Sequence, residues 1–514
     1  MSESLTSKSV KNSIVAMLFY AVNLILQFIS RKIFIVYIGE DVLGLNTTLS
    51  SILQFLNIAE LGIGSAIGYA LYKPLFNSDT QAINEIVSLQ GWLYKHIALI
   101  IIIASAILLP FFPLIFEKTD LPLWYSYITF IVLLFSSLLS YFVNYRQIVL
   151  SADQKEYRIQ YSYKAAILVK LIFQIVFIRY FDNGYIWWLV LEFIFAIIAS
   201  VVLNITIKCS YPFLKNSAVS GKELMAKYPE VLTKTKQLFF HKIGGVALTR
   251  VSTIVIYGIA TLDMVAIYGN YMLIISGVIA LMTAIFNSMN AGVGNLVAGG
   301  DRNRIMNVFN ELFSIRFYIT AIICLCSYAL TQPFMRLWMG ESLLLDNECL
   351  ILFIGIMFVN LNRLTADAFI NAYGLFSDIW APIVETGLNI ALSIILGQIW
   401  GIKGILSGVL ISLILIIFIW KQFYLFRYGF KEKFIYCIRI YIIHIIPVVI
   451  SIPIINMLYK LMITTEIFSF ASWIMHACIY AGIASMVLGV FLLIFTSGMR
   501  QFFQRIAKII KNAI

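Results

Sequence analysis

The chain has 514 residues, 61% hydrophobic and only 12% charged, with 37 Lys and Arg against 25 Asp and Glu and a net charge of +12. Soluble domains hold roughly 45–50% apolar and about 25% charged residues, so these proportions exclude a water-soluble globular protein and describe one that crosses a bilayer many times. The basic surplus is a topology signal rather than a nucleic-acid footprint, because the cations gather between apolar runs.

A hydrocarbon core of about 30 Å needs about 20 apolar residues of helix. About fourteen runs qualify, near 12–36, 43–71, 93–116, 122–149, 161–180, 185–207, 238–261, 264–291, 308–331, 349–374, 379–400, 403–426, 434–459 and 467–496. The first has a basic flank like a signal peptide, but its apolar run is longer than a signal core and no small-residue cleavage pattern follows, so it reads as a spanning helix. With alternating spans, about 29 of the Lys and Arg fall on one side and about 7 on the other, leaving Arg250 inside a helix. The rich side is the cytoplasmic one by the positive-inside rule, and an even helix count puts both termini there. The loops assigned outside, such as IGEDVLG, EKTDLP, FDNGY and TLD, are short and leave no room for an external domain.

The expected fold is therefore an all-α polytopic membrane protein of about 14 transmembrane helices: two pseudo-symmetric six-helix lobes plus two C-terminal helices. Its divisions are an N-lobe over 1–208, a cytoplasmic connector over 209–237, a C-lobe over 238–428, helices 13 and 14 over 429–498, and a basic amphipathic tail over 499–514. The tail sets Phe502, Phe503, Ile506, Ile509 and Ile510 on one face, suited to the inner leaflet. Helices 2 and 8 share a faint pattern, a Gly/Asn start and a closing Gly-x-Gly pair, and internal repeats are a common transporter plan.

An ionisable side chain at membrane depth is costly unless it faces protein or a wet cavity. Glu60 lies inside helix 2 after Asn57 and before Gly62, Gly64 and Gly68, as a cavity group or a partner for a buried cation. Arg250 is too deep to snorkel, and its planar fork suits either a phosphate or an ion pair with Glu60 or Asp367. In helix 10, Asn360, Arg363, Asp367 and Asn371 share a face, and Arg363 and Asp367 can bridge at i, i+4. Arg31 and Lys32 lie near the outer end of helix 1, within reach of headgroups or of a phosphate at the external mouth. Asn270, Asn287, Asn290, Asn295, Lys170, Gln174, Glu192 and Glu385 complete the intramembrane set, with His444 and His476 as isolated packing residues in the last two helices.

Nothing in the sequence forms a catalytic nucleophile with its base, a metal cluster or a cofactor site. The six cysteines are scattered, and GIGSAIG is embedded in a spanning helix, not in a strand-to-helix phosphate loop. The chain does not read as an enzyme.

The stretches RKIFIVYIGEDVLGLN from Arg31, LNIAELGIGSAIGYALYKPL, and AIYGNYMLIISGV with GVGNLVAGGD resemble the polysaccharide repeat-unit flippases of the multidrug, oligosaccharidyl-lipid and polysaccharide exporter superfamily. The resemblance implies a V-shaped pair of six-helix lobes in a bacterial plasma membrane. These carry an undecaprenyl-diphosphate-linked oligosaccharide from the inner to the outer leaflet by alternating access, as a monomer with possible polymerase contacts. By that resemblance Arg31, Arg250, Arg363 and Asn270 match the substrate cavity. Relatives often have an acidic residue early in helix 7, where this chain has Thr249, Arg250 and Val251, so proton or sodium coupling falls to Glu60 or Asp367. The alternatives are an ion-coupled multidrug or cation exporter of the same superfamily, which typically has twelve helices, and a membrane glycan polymerase or ligase, which the short outer loops disfavour.

Overall fold

A computed structural model describes residues 5–60, 62–117, 119–233, 235–236, 252–287, 293–294, 296–297, 299–375, 377–378, 380–463 and 465–513. Among the described residues the regular structure is helical throughout, with twelve helices long and apolar enough to cross a membrane. The protein is thus a multi-pass all-α membrane protein. We number α1 (Leu5–Tyr37), α2 (Glu40–Leu56), α3 (Ile63–Phe76), α4 (Thr80–Leu108), α5 (Leu123–Phe142), α6 (Ala165–Tyr180), α7 (Gly184–Ser210), α8 (Gly221–Lys227) and α9 (Leu262–Asn287). There follow α10 (Arg302–Met339), α11 (Asn347–Tyr373), α12 (Trp380–Trp400), α13 (Ile402–Phe430), α14 (Phe434–Met462), α15 (Phe470–Phe495) and the tail α16 (Ser497–Ala513).

Two of the fourteen expected spans explain the count. The span at 238–261 lies outside the described residues except for its end, helical over 252–259. The span at 43–71 is not one helix: it divides into α2 and α3, joined by a 3-10 turn over Asn57–Glu60 and by Gly62 at φ 96, a backbone conformation that favours glycine. The apolar run is continuous across this junction, so run length alone conceals the break.

Polar caps set where several helices start. Asp79 accepts from the Ala82 amide at 3.0 Å, Asp301 from the Arg304 amide at 3.2 Å, and Ser469 forms a capping box with Ser472. Such caps lie beyond the apolar runs. Consequently α4 begins at Thr80 and α10 continues for 38 residues, roughly 57 Å at 1.5 Å per residue, well past a bilayer core.

The chain forms two compact units, Met1–Gly269 and Asn270–Ile514, with the division inside α9. In the first unit, the loops assigned outside converge: Asp41 hydrogen-bonds Asp263, with Glu40 and Asp120 close enough to add their fields. The other ends also meet. Asn12 bonds the Gln154 carbonyl and the Tyr157 amide at 2.9 Å each, and Asn84 takes the Lys215 amide at 2.9 Å. The connector is packed rather than loose: Glu85 of α4, only 3% exposed, accepts from Lys227 and Tyr228 at 2.7 Å each. In the second unit, Lys403 bridges Asp346 at 3.0 Å and Glu348 at 2.7 Å at one end, while Arg302 bridges Glu432 at 2.7 Å at another. In each unit, loops that the sequence assigns to the same side thus meet one another.

The second unit's core is aromatic, with Phe309, Phe313, Phe317, Phe369, Phe426 and Phe430 buried together. His444 fastens α14 to it: Nδ1 lies 2.7 Å from the Ile440 carbonyl and so carries the proton, leaving Nε2 to accept from Ser314 at 2.8 Å. The tail docks on α10 through buried Met499 and an Arg505–Glu311 ion pair at 3.0 Å.

Candidate functional site

In the first unit the helix break carries Glu60. Its Oε1 accepts from the Tyr94 phenol of α4 at 2.7 Å, and the Tyr141 phenol of α5 also hydrogen-bonds it. Asn57, at the start of the break, donates to Ser137 at 3.1 Å and so pins the turn to α5. Glu60 precedes the positive end of α3, which favours a carboxylate there. Among the described residues no Arg or Lys pairs with it, and phenolic hydrogen bonds hold it; the expected partner Arg250 lies outside the described residues.

Arg31 lies farther along in the same unit, on α1. Its Nη2 donates to the Ala266 carbonyl of α9 at 3.2 Å, and a Cβ on Gly269 would collide with that nitrogen. The glycine is what lets the guanidinium lie against α9. Asn270, the next residue along α9, is fully buried. Arg31 and the α9 positions 266–269 thus come together, whereas Arg250 lies outside the described residues. Lys170 and Glu192 pair at 2.8 Å between α6 and α7, with Gln174 donating to the same carboxylate at 3.2 Å, which accounts for those three polar residues by mutual bonding.

In the second unit Arg363 and Asp367 do form the i, i+4 bridge, at 3.2 Å, and Lys421 of α13 adds a second cation at 3.5 Å. Asp367 is therefore a brace between α11 and α13. Glu385 of α12, 4% exposed, lies within the field of the same three charges, and its Oε1 has no hydrogen-bond partner. Asn389, one turn on, donates to Ser412 at 3.3 Å.

One intramembrane cation escapes the sequence reading. Arg316, 1% exposed, donates to the Phe286 carbonyl at 2.9 Å and the Leu364 carbonyl at 3.1 Å, with its guanidinium 5.0 Å from the Phe286 ring. The signal was present, since Arg316 lies eight residues inside the run at 308–331, but counting it with the flanking bases hid it.

No family model matches the chain, and no curated protein matches its sequence. Solved structures do. The lipid II flippase MurJ in an inward closed conformation superposes with a TM-score of 0.67 at 15% identity, covering 94% of this chain and 99% of that one. A multidrug resistance MATE family transporter of the MOP superfamily, inward-facing, gives 0.58 at 11% identity, covering 80% of this chain and 97% of that one. The chain has the fold shared by these MOP-superfamily transporters, as the sequence resemblance implied.

Proposed function

We propose that the protein is a flippase that moves undecaprenyl-diphosphate-linked oligosaccharide repeat units from the inner to the outer leaflet of a bacterial plasma membrane, by alternating access, for surface polysaccharide synthesis. It is a transporter and not an enzyme, with both termini cytoplasmic and lobes divided as the sequence suggests. The observation that carries the reading is Arg31, a guanidinium near the end of α1 set against a glycine of α9, in a fold shared over most of the chain with a lipid II flippase. A diphosphate is the ligand that a planar guanidinium fork recognises best. We assign Arg31, Arg250, Asn270 and Arg363 to substrate recognition, Arg363 being already bridged to Asp367. Glu60 takes up the coupling proton or sodium ion.

The test is polymer output at matched membrane abundance. Arg31→Ala and Arg250→Ala each abolish surface polysaccharide, and Gly269→Leu, which displaces Arg31 from α9, does the same while leaving every charge in place. Normal polymer from both arginine variants would overturn the reading.

A second reading, an ion-coupled multidrug or cation exporter, draws support from Glu60, whose carboxylate lacks a cationic partner among the described residues. Drug susceptibility of a deletion strain separates the two: the exporter predicts sensitisation, the flippase predicts none.

A further inference from the structure

The connection between α11 and α12 and the last turns of α13 border an open-mouthed cavity of about 330 Å³ that the transport reading leaves unused. Ser377, Asp378, Trp380, Trp420, Tyr424 and Tyr428 line it. Trp380 and Trp420 approach with ring centroids 4.6 Å apart, Trp420 and Tyr424 stack at 6.0 Å, and Tyr428 lies 5.0 Å from Tyr424. Ser377 Oγ and Tyr424 Oη share a hydrogen bond of 2.6 Å. The decisive feature is Asp378. It is 8% exposed, and among the described residues no cation and no hydrogen-bond donor reaches its carboxylate.

Aromatic belts at membrane interfaces explain the rings but not a buried carboxylate among them. A carboxylate on the wall of an aromatic cavity, with no cation or donor of the described residues beside it, offers a binding point for a positively charged hydrogen-bond donor. Ring faces attract cations, and the carboxylate and the Ser377/Tyr424 hydroxyl pair offer oxygen acceptors on the same cavity wall. A hard metal ion would need six or more oxygen ligands, which this largely aromatic wall does not supply, and a phosphate would be repelled by Asp378. A primary ammonium meets every requirement: one charge, three N–H donors and a small alkyl stem. Beside the pocket, Trp380, Ile383 and Ile419 are each more than two-fifths exposed on the apolar helix surface, where acyl chains would lie.

We propose that this pocket binds a primary ammonium group, presented by an aminophospholipid headgroup or by a free aliphatic amine. The experiment uses the full-length chain in nanodiscs of phosphatidylglycerol, reading the thermal unfolding midpoint. One arm dopes the discs with phosphatidylethanolamine, and the other titrates ethanolamine hydrochloride from solution. A saturable rise in the midpoint is expected in at least one arm: in the lipid arm alone for a headgroup site, in both for a site that takes free amine. Asp378→Asn weakens the half-saturating concentration by about tenfold or more, and Trp380→Leu, which keeps the carboxylate, by several-fold, as loss of a desolvated cation contact predicts. Should Asp378→Asn fail to fold, Trp380→Leu and Tyr428→Ala at exposed positions carry the test. No rise in either arm, or a rise unchanged by these variants, overturns the proposal.

Discussion

Glu60 in the first unit and Asp367 in the second are both carboxylates at membrane depth, yet their surroundings differ in kind. Phenols from Tyr94 and Tyr141 hold Glu60 at a helix break, with no cation paired to it among the described residues. Arg363 and Lys421 hold Asp367 on a continuous helix. Hydroxyl partners bring no opposite charge to a carboxylate, whereas two cations balance it. The groups around a membrane carboxylate, and not its depth, thus distinguish one held by hydroxyls from one held by cations.

The comparison breaks most visibly in stability. Asp367→Ala strands two cations and is expected to cost about 3 kcal/mol, whereas Glu60→Gln, which still accepts from Tyr94, costs under about 1 kcal/mol. Thermal unfolding in one detergent checks both, and equal losses would erase the distinction. Arg316→Ala removes donors from the Phe286 and Leu364 carbonyls and leaves a cavity, for an expected loss of about 2–3 kcal/mol in the same measurement.

A smaller effect concerns pH. The Asp41 carboxyl is pushed up to about 6, first by its hydrogen bond to Asp263, then by burial and the neighbouring acids. Its folded value exceeds its unfolded value, so the repulsion is absent below about pH 4, develops through about 6 and is complete above it. Because Asp41 is exposed, screening holds the cost to about 1 kcal/mol or less. Asp41→Asn therefore raises the unfolding midpoint at pH 8, leaves it unchanged at pH 4, and flattens the profile between.

Much of the architecture was legible in the sequence because length and apolarity are the membrane's own criteria: each of the twelve spanning helices overlaps an expected run. The break at Glu60 was not, since Asn57 and Gly62 are compatible with a continuous span and tertiary packing decides between the two. The Arg363–Asp367 bridge was readable from i, i+4 spacing, but Lys421, its third member, comes from α13, some fifty residues on, beyond any local pattern. The pairing of Arg31 with Gly269 was equally hidden, because it joins α1 to α9. Asp378 falls between two expected spans, and only the rings that α13 brings beside it make it notable.

The most direct test of the account is the leaflet distribution of lipid-linked sugars in a deletion strain carrying either the wild-type chain or Arg31→Ala at equal abundance. The account predicts that single repeat units accumulate on the cytoplasmic leaflet with the variant and clear with the wild type. Clearance by both would contradict it.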